Sequence, residues 1–215
     1  MDFSSLERLR RKVEAGEPLS DAELESLRTA AQNTPGPTLR LAVAHALVNA
    51  GAEREALRLL RKRPLLMWSD LTSLTSLAQA CLELWEEARG TGDAEPRALA
   101  TAALRVLRKT SRLQPTARSR TARLEGTYAW LEGRTGRAQV LWQRALELAS
   151  TWRMPTDEGL AHYELARTSA PGGARELHLA RARHIFEHLD ATGSLRALDA
   201  LEQPRLPAPA KASAG

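Results

Sequence analysis

A single cysteine, Cys81, stands in the 215 residues, so no disulfide can form within the chain and no pair of thiols can share a zinc ion. It lies in an apolar run with Ala78, Ala80, Leu82 and Leu84, where a buried, inert thiol is expected. β-Branched and aromatic side chains are also scarce: five valines, one isoleucine and 4% aromatics against an apolar fraction of 43%. What remains is mostly leucine and alanine, which favours helix over strand. No run approaches the roughly eighteen apolar residues that cross a bilayer. The opening Met1-Asp-Phe-Ser-Ser5 lacks the cationic and then apolar layout of a signal peptide, which makes the cytoplasm the expected location, without a membrane partner. The phosphate-cradling loops G-x-x-x-x-G-K and G-x-G-x-x-G and the G-x-S-x-G elbow are missing, and the expectation is a non-enzyme without a cofactor.

Lysine is rare too: 27 arginines stand against four lysines, the imprint of a GC-rich coding genome and a pointer to a bacterium. Net charge is +5, and its distribution is uneven. Residues 101–150 hold ten basic and three acidic groups, whereas the rest of the chain holds 21 and 23. Seven cations, Arg105, Arg108, Lys109, Arg112, Arg118, Arg120 and Arg123, follow one another with no acid between. Like charges so gathered repel, and the fold must either screen them or use them. Glu83, Glu86 and Glu87 could screen them. The alternatives are a docking surface for an acidic protein, or a nucleic-acid site, the latter without interleaved aromatics or a helix-turn-helix signature.

Helix starts and stops are legible. Ser4-Ser-Leu-Glu7 and Ser20-Asp-Ala-Glu23 read as capping boxes. Apolar stripes at three-to-four spacing and breaks at Pro or Gly predict helices over about 5–16, from 21 onward, 38–49, 53–63, 69–89, 97–112, 116–132, 135–152, 156–168, 174–190 and 194–201. The segment 90–96, Gly-Thr-Gly-Asp-Ala-Glu-Pro, is the best internal linker. It divides an N-terminal helical region, 1–90, from a second over 97–202. The remainder, 203–215, with three Pro and four Ala, has nothing to bury and is expected to be disordered.

A degenerate repeat runs through the helical pairs. Gly126 is followed by Ala138, Trp142 and Ala145 at the same spacing that sets Ala44 before Ala56, Leu60 and Arg63. Ala161, Ala182, Phe186 and Leu189 fit the pattern if the loop between their helices is longer. Two antiparallel helices approach closely where tiny residues face each other and a large one fills the gap beside them. This spacing resembles the tetratricopeptide repeat. The wording Gly133-Arg-Thr-Gly-Arg-Ala138, Trp142-Gln-Arg-Ala-Leu-Glu-Leu-Ala149, Glu158-Gly-Leu-Ala-His-Tyr-Glu-Leu-Ala166 and His178-Leu-Ala-Arg-Ala-Arg-His-Ile-Phe-Glu-His188 is similar to the tetratricopeptide-like C-terminal tails of large bacterial signalling kinases, cyclases and ATPases. The resemblance covers about 116–193, with an echo at 38–63. It departs in its irregular spacing, and no kinase, cyclase or nucleotide-binding part accompanies it.

The resemblance implies an all-α stack of antiparallel hairpins whose curved face binds a partner protein. The resulting expectation is a non-catalytic adaptor or regulator, docking a partner in the concavity and along the Arg-rich junction. The rival is a nucleic-acid binder using residues 105–123. His184-Ile-Phe-Glu-His188 matches the H-x-x-E-H of inverted zinc proteases, yet Phe186 is expected to pack and few residues remain to supply a third ligand, so no metal is expected. His45 and His162 lie on apolar stripes and read as packing residues. Tyr128, Trp130, Trp142 and Trp152 cluster about one hairpin, and Trp68 and Trp85 lie in the first half. Core packing is the default for all of them.

Overall fold

The computed structural model describes residues 8, 9, 12, 19–33, 47, 71–89 and 94–202, and among them there is no strand. Eight helices follow in order: α1 (Asp21–Asn33), α2 (Leu71–Glu87), α3 (Glu95–Leu113), α4 (Ala117–Leu131), α5 (Thr135–Thr151), α6 (Pro155–Thr168), α7 (Gly173–His188) and α8 (Thr192–Glu202). The fold class is therefore all-α, as the leucine and alanine content predicts.

Local chemistry sets the boundaries. Before α1, Ser20 and Glu23 form the predicted capping box: Glu23 N–H donates to Ser20 Oγ at 3.3 Å, and Ser20 N–H donates to Glu23 Oε2 at 2.8 Å. Those bonds, together with Lys12 Nζ at 2.9 Å, hold the Glu23 carboxyl down at about 2. Pro96 and Pro155 occupy the first turns of α3 and α6, where their missing N–H groups cost nothing. At the end of α4, Gly133 takes φ of 79°, which lets Arg134 N–H reach back to the Ala129 carbonyl at 2.9 Å.

The helices pack in sequence order. α2 packs on α3, short turns fold α4 onto α5 and α6 onto α7, α4 also touches α2 and α6, and α5 touches α6. Leu74, Leu77 and Cys81 of α2, Ala100, Leu104 and Leu107 of α3 and Leu124 of α4 form one apolar cluster. Residues 90–96 thus join two helices that share a core. Burial in that cluster pushes the Cys81 thiol up to about 12, far from the ionised form that reactivity needs.

Inside the α4/α5 hairpin the tiny residue of the first helix faces the large one of the second, where tiny against tiny was expected. The Trp142 ring lies on Gly126 so closely that a Cβ there would sit 2.5 Å from its Cδ1 and Nε1. The indole N–H donates to the Arg123 carbonyl at 3.1 Å, and Ala138 and Ala145 are fully buried beside it. Phe186 repeats the arrangement in α6/α7, but its glycine is Gly159, where a Cβ would meet Phe186 Cε1 at 2.6 Å. Ala161 instead joins Ala122 and Ala145 in a separate cluster between the hairpins, and Leu189 is left 39% exposed. Only one residue of the extra length is a longer loop. The turns are 132–134 and 169–172, but α6 runs nine residues past Gly159 against five for α4 past Gly126. Similarly, α7 takes thirteen residues to reach Phe186 against seven for α5 to reach Trp142. Longer helices absorb the rest of the insertion.

Ala44, Ala56, Leu60, His45, Trp68, the helices expected over 38–63 and the first capping box lie outside the described residues. Among the described residues no helix is long and apolar enough to cross a membrane.

Candidate functional site

The folding of alternate helices toward one side opens a groove of about 670 Å³. Its walls come from α2 (Gln79, Leu82, Glu83, Glu86), α4 (Arg123, Leu124, Thr127), α6 (Leu160, Tyr163, Glu164, Arg167) and α8 (Gly193, Ser194, Ala197), with the Phe186 ring of α7. The volume lies within the range that holds small ligands or several side chains.

Charge is built into this wall. Arg167 Nη1 donates to both oxygens of Glu86, at 3.1 and 2.9 Å, and its Nη2 lies 2.7 Å from Glu164 Oε2. Thr127 Oγ1 donates to the other Glu164 oxygen at 3.1 Å. Burial disfavours the Arg167 cation, but Glu164 and Glu86 outweigh it, and the guanidinium is held above its ordinary pKa. The same guanidinium lies 4.5 Å from the centre of the Trp130 ring, and Arg89 lies 4.7 Å from it.

Arg123 is only 4% exposed, and burial pulls its pKa below the ordinary arginine value. It donates from Nη2 to Gln79 Oε1 at 3.0 Å, and Gln79 passes a bond on from Nε2 to Glu83 at 2.9 Å. Arg123 Nε finds no hydrogen-bond partner among the described residues. Glu83 is half-buried, and the desolvation of its carboxyl pushes it above the usual carboxylate range.

The seven-cation run is divided by the fold. Arg123 alone lines the groove. Arg120 Nε–H is shared between the two oxygens of the buried Asp157, at 3.0 and 3.1 Å, and ties α4 to α6. Arg108 pairs with Glu125 across α3 and α4, and Arg118 Nε donates to the Ser111 carbonyl at 3.2 Å. Arg105, Lys109 and Arg112 lie exposed on α3, eight residues end to end along one helical face, with Arg118 exposed at the junction. Of the three acids suggested as screens, Glu83 contributes to the field on Arg123, while Glu86 serves Arg167.

The other candidates settle as follows. His184 and His188 are exposed on α7 with ring centres 5.3 Å apart, and among the described residues no three His, Cys, Asp or Glu side chains gather as a metal site. His162 is buried as predicted, but it has a partner: its Nδ1 is 2.8 Å from Nδ1 of His178, across α6 and α7. Burial, then the neighbouring His178 and Arg181, lower His162 to about 4. Trp142 is core, Trp85 packs on Tyr128 at 5.1 Å, and Trp152 is exposed.

Sequence reasoning missed Glu164 and Arg167, and the signal for them was available. Leu160, Tyr163, Glu164 and Arg167 share one helical face, as do Gln79, Leu82, Glu83 and Glu86, so both stripes pass from apolar into charged residues at core spacing. A charge in register with a core stripe marks a wall that is buried and polar together.

No protein-family model, no curated protein and no solved structure matches the chain. The functional reading therefore rests on the groove.

Proposed function

We propose that this chain is a non-catalytic interaction module, a degenerate tetratricopeptide-like stack, that receives a segment of a partner protein in the groove between α2, α4, α6 and α8. The observation that carries this reading is the groove itself: about 670 Å³, walled by alternate helices, with apolar side chains beside a fixed network of charges. The crossing of Gly126 under Trp142, and the adjacency of α4 to both α2 and α6, support the repeat reading, because stacked hairpins present alternate helices to one side. In a bacterial cytoplasm such a module acts as an adaptor or regulator by holding its partner.

Selection of phage-displayed random dodecapeptides tests it. Sequences enriched on the wild-type chain are expected to fail on Ala197→Trp, which fills the groove from α8. Equal enrichment on both proteins would overturn the groove as the binding surface.

A second reading draws on the exposed cations of α3 and the junction. Arg105, Lys109, Arg112 and Arg118 together would neutralise phosphates. That reading requires affinity for duplex or single-stranded nucleic acid that falls steeply with salt on a log-log plot, with a slope for four contacts of about −4 on duplex and about −3 on single strands. A flat response removes it.

A further inference from the structure

The groove's charges do not balance. Glu83, Glu86 and Glu164 face Arg123 and Arg167, and the pairing is unequal as well. Arg167 takes two of the acids, while Glu83 has only the Gln79 amide, with no cation in ion-pair contact among the described residues. At the same time Arg123, nine-tenths buried and lining the same space, keeps Nε without an acceptor. Arg167 Nε likewise has no acceptor, and a half-buried acid without a cation beside buried N–H groups without acceptors is costly unless a ligand completes them.

We infer that the groove recognises an extended basic peptide, whose Arg or Lys side chain meets Glu83 while a main-chain carbonyl accepts from Arg123 Nε. This rests on the groove reading above and names the chemistry of its partner. An extended peptide supplies both missing groups at once, a cation on a long stem and a carbonyl on the backbone. Leu82 and Leu160 line the same cavity and give the methylene stem an apolar path past the charges. An acidic segment would add a fourth carboxylate and leave Glu83 worse placed. The Nη groups of Arg167 already serve Glu86 and Glu164, and its Nε, which has no acceptor among the described residues, is a single N–H that a main-chain carbonyl satisfies as well as an acid does.

The test uses peptides from the dodecapeptide selection, synthesised with a fluorophore and measured by anisotropy on the full chain. One Arg or Lys is expected to recur at a fixed position, and its replacement by Gln is expected to weaken binding at least tenfold on the wild type. On Glu83→Gln the same peptide replacement is expected to change affinity less than twofold. Circular dichroism should show that Glu83→Gln is folded, because the amide keeps the shape and removes a half-buried charge. Selected peptides without a recurring basic residue, or a basic preference that survives Glu83→Gln, overturn this inference and leave the groove reading standing. A selection in which nothing separates the wild type from Ala197→Trp overturns both.

Discussion

The hairpins α4/α5 and α6/α7 place a glycine beneath a large ring in the same way, yet they differ in everything around that contact. Trp142 is tied by its indole N–H to the Arg123 carbonyl and sits among Ala129, Ala138 and Leu165. Phe186 has no polar tie, lies among Leu179, Ala182 and Leu198, and stands in helices that run further on both sides of the crossing. The crossing point is therefore what the packing fixes, while helix length and ring identity are free to vary. Helix interiors tolerate added turns because each turn satisfies its own hydrogen bonds, whereas two backbones can touch only where no Cβ intervenes.

The largest expected effect comes from removing the rings. Trp142→Ala is expected to cost about 5 kcal/mol, and Phe186→Ala about 3 kcal/mol, because the tryptophan also leaves the Arg123 carbonyl without its donor. Urea unfolding monitored by circular dichroism measures both, and a larger loss for Phe186→Ala would reverse the ranking of the hairpins. Adding a methyl group beneath each ring comes next. Gly126→Ala meets an indole that its hydrogen bond holds in place, and should cost about 3 kcal/mol. Gly159→Ala meets a ring with no such tie and should cost about 2 kcal/mol, read from the same curves.

Acid should separate the hairpins further, because only α6/α7 is bridged by His162 and His178. In the folded chain His162 titrates at about 4, below its ordinary 6.5, so the unfolded chain takes up the proton first. The stabilising effect is complete above pH 6.5, declines as pH falls and is lost by about pH 4, to a total of about 3 kcal/mol. His178 is lowered by burial and acts in the same direction. Hydrogen exchange at pH 7 and pH 5 should show α6 and α7 losing protection ahead of α4 and α5, and His162→Gln should abolish the difference. Uniform loss across all four helices would assign the acid effect to carboxylates elsewhere.

These contrasts show how far the residues speak for themselves. Helices α2 through α8 were legible to within a few residues, since Pro96, Pro115, Gly133, Pro155 and Gly172 punctuate leucine stripes with few β-branched residues among them. That Gly126 and Trp142 belong to one close crossing was also legible, as their spacing spans one tight turn, but the ring was expected beside the glycine and lies on it. Gly159 was not: added helical turns moved it away from the expected spacing, and Ala161 took its place in the pattern. The groove was the least legible part. Cations were read as one run because they are neighbours in the chain, but helical geometry sends Arg123 inward, Arg120 across to Asp157 and Arg105 outward. Which side a charge takes depends on the partner helix, and Glu83 and Arg167 are far from Arg123 in sequence.

The smallest expected effect concerns the helix ends. α4, α5 and α7 close with the same bond, from Arg134, Met154 and Ala191 N–H to the carbonyls of Ala129, Ala149 and Phe186, each at 2.9 Å. That closure needs a left-handed residue, supplied by Gly133 after α4 but by Arg153 at φ 51° and Asp190 at φ 50° after the other two. A side chain there pushes its Cβ toward the carbonyl, a strain that glycine avoids and that aspartate bears better than arginine. Arg153→Gly should therefore stabilise by about 1 kcal/mol, and Asp190→Gly by about 0.5 kcal/mol, less than the full strain because glycine also gains entropy in the unfolded chain. For a chain of this length the first corresponds to about 2–4 °C in thermal midpoint. If Asp190→Gly gained more than Arg153→Gly, the end of α7 would be the more strained of the two, and the looser hairpin would owe its looseness to its cap as well as to its ring.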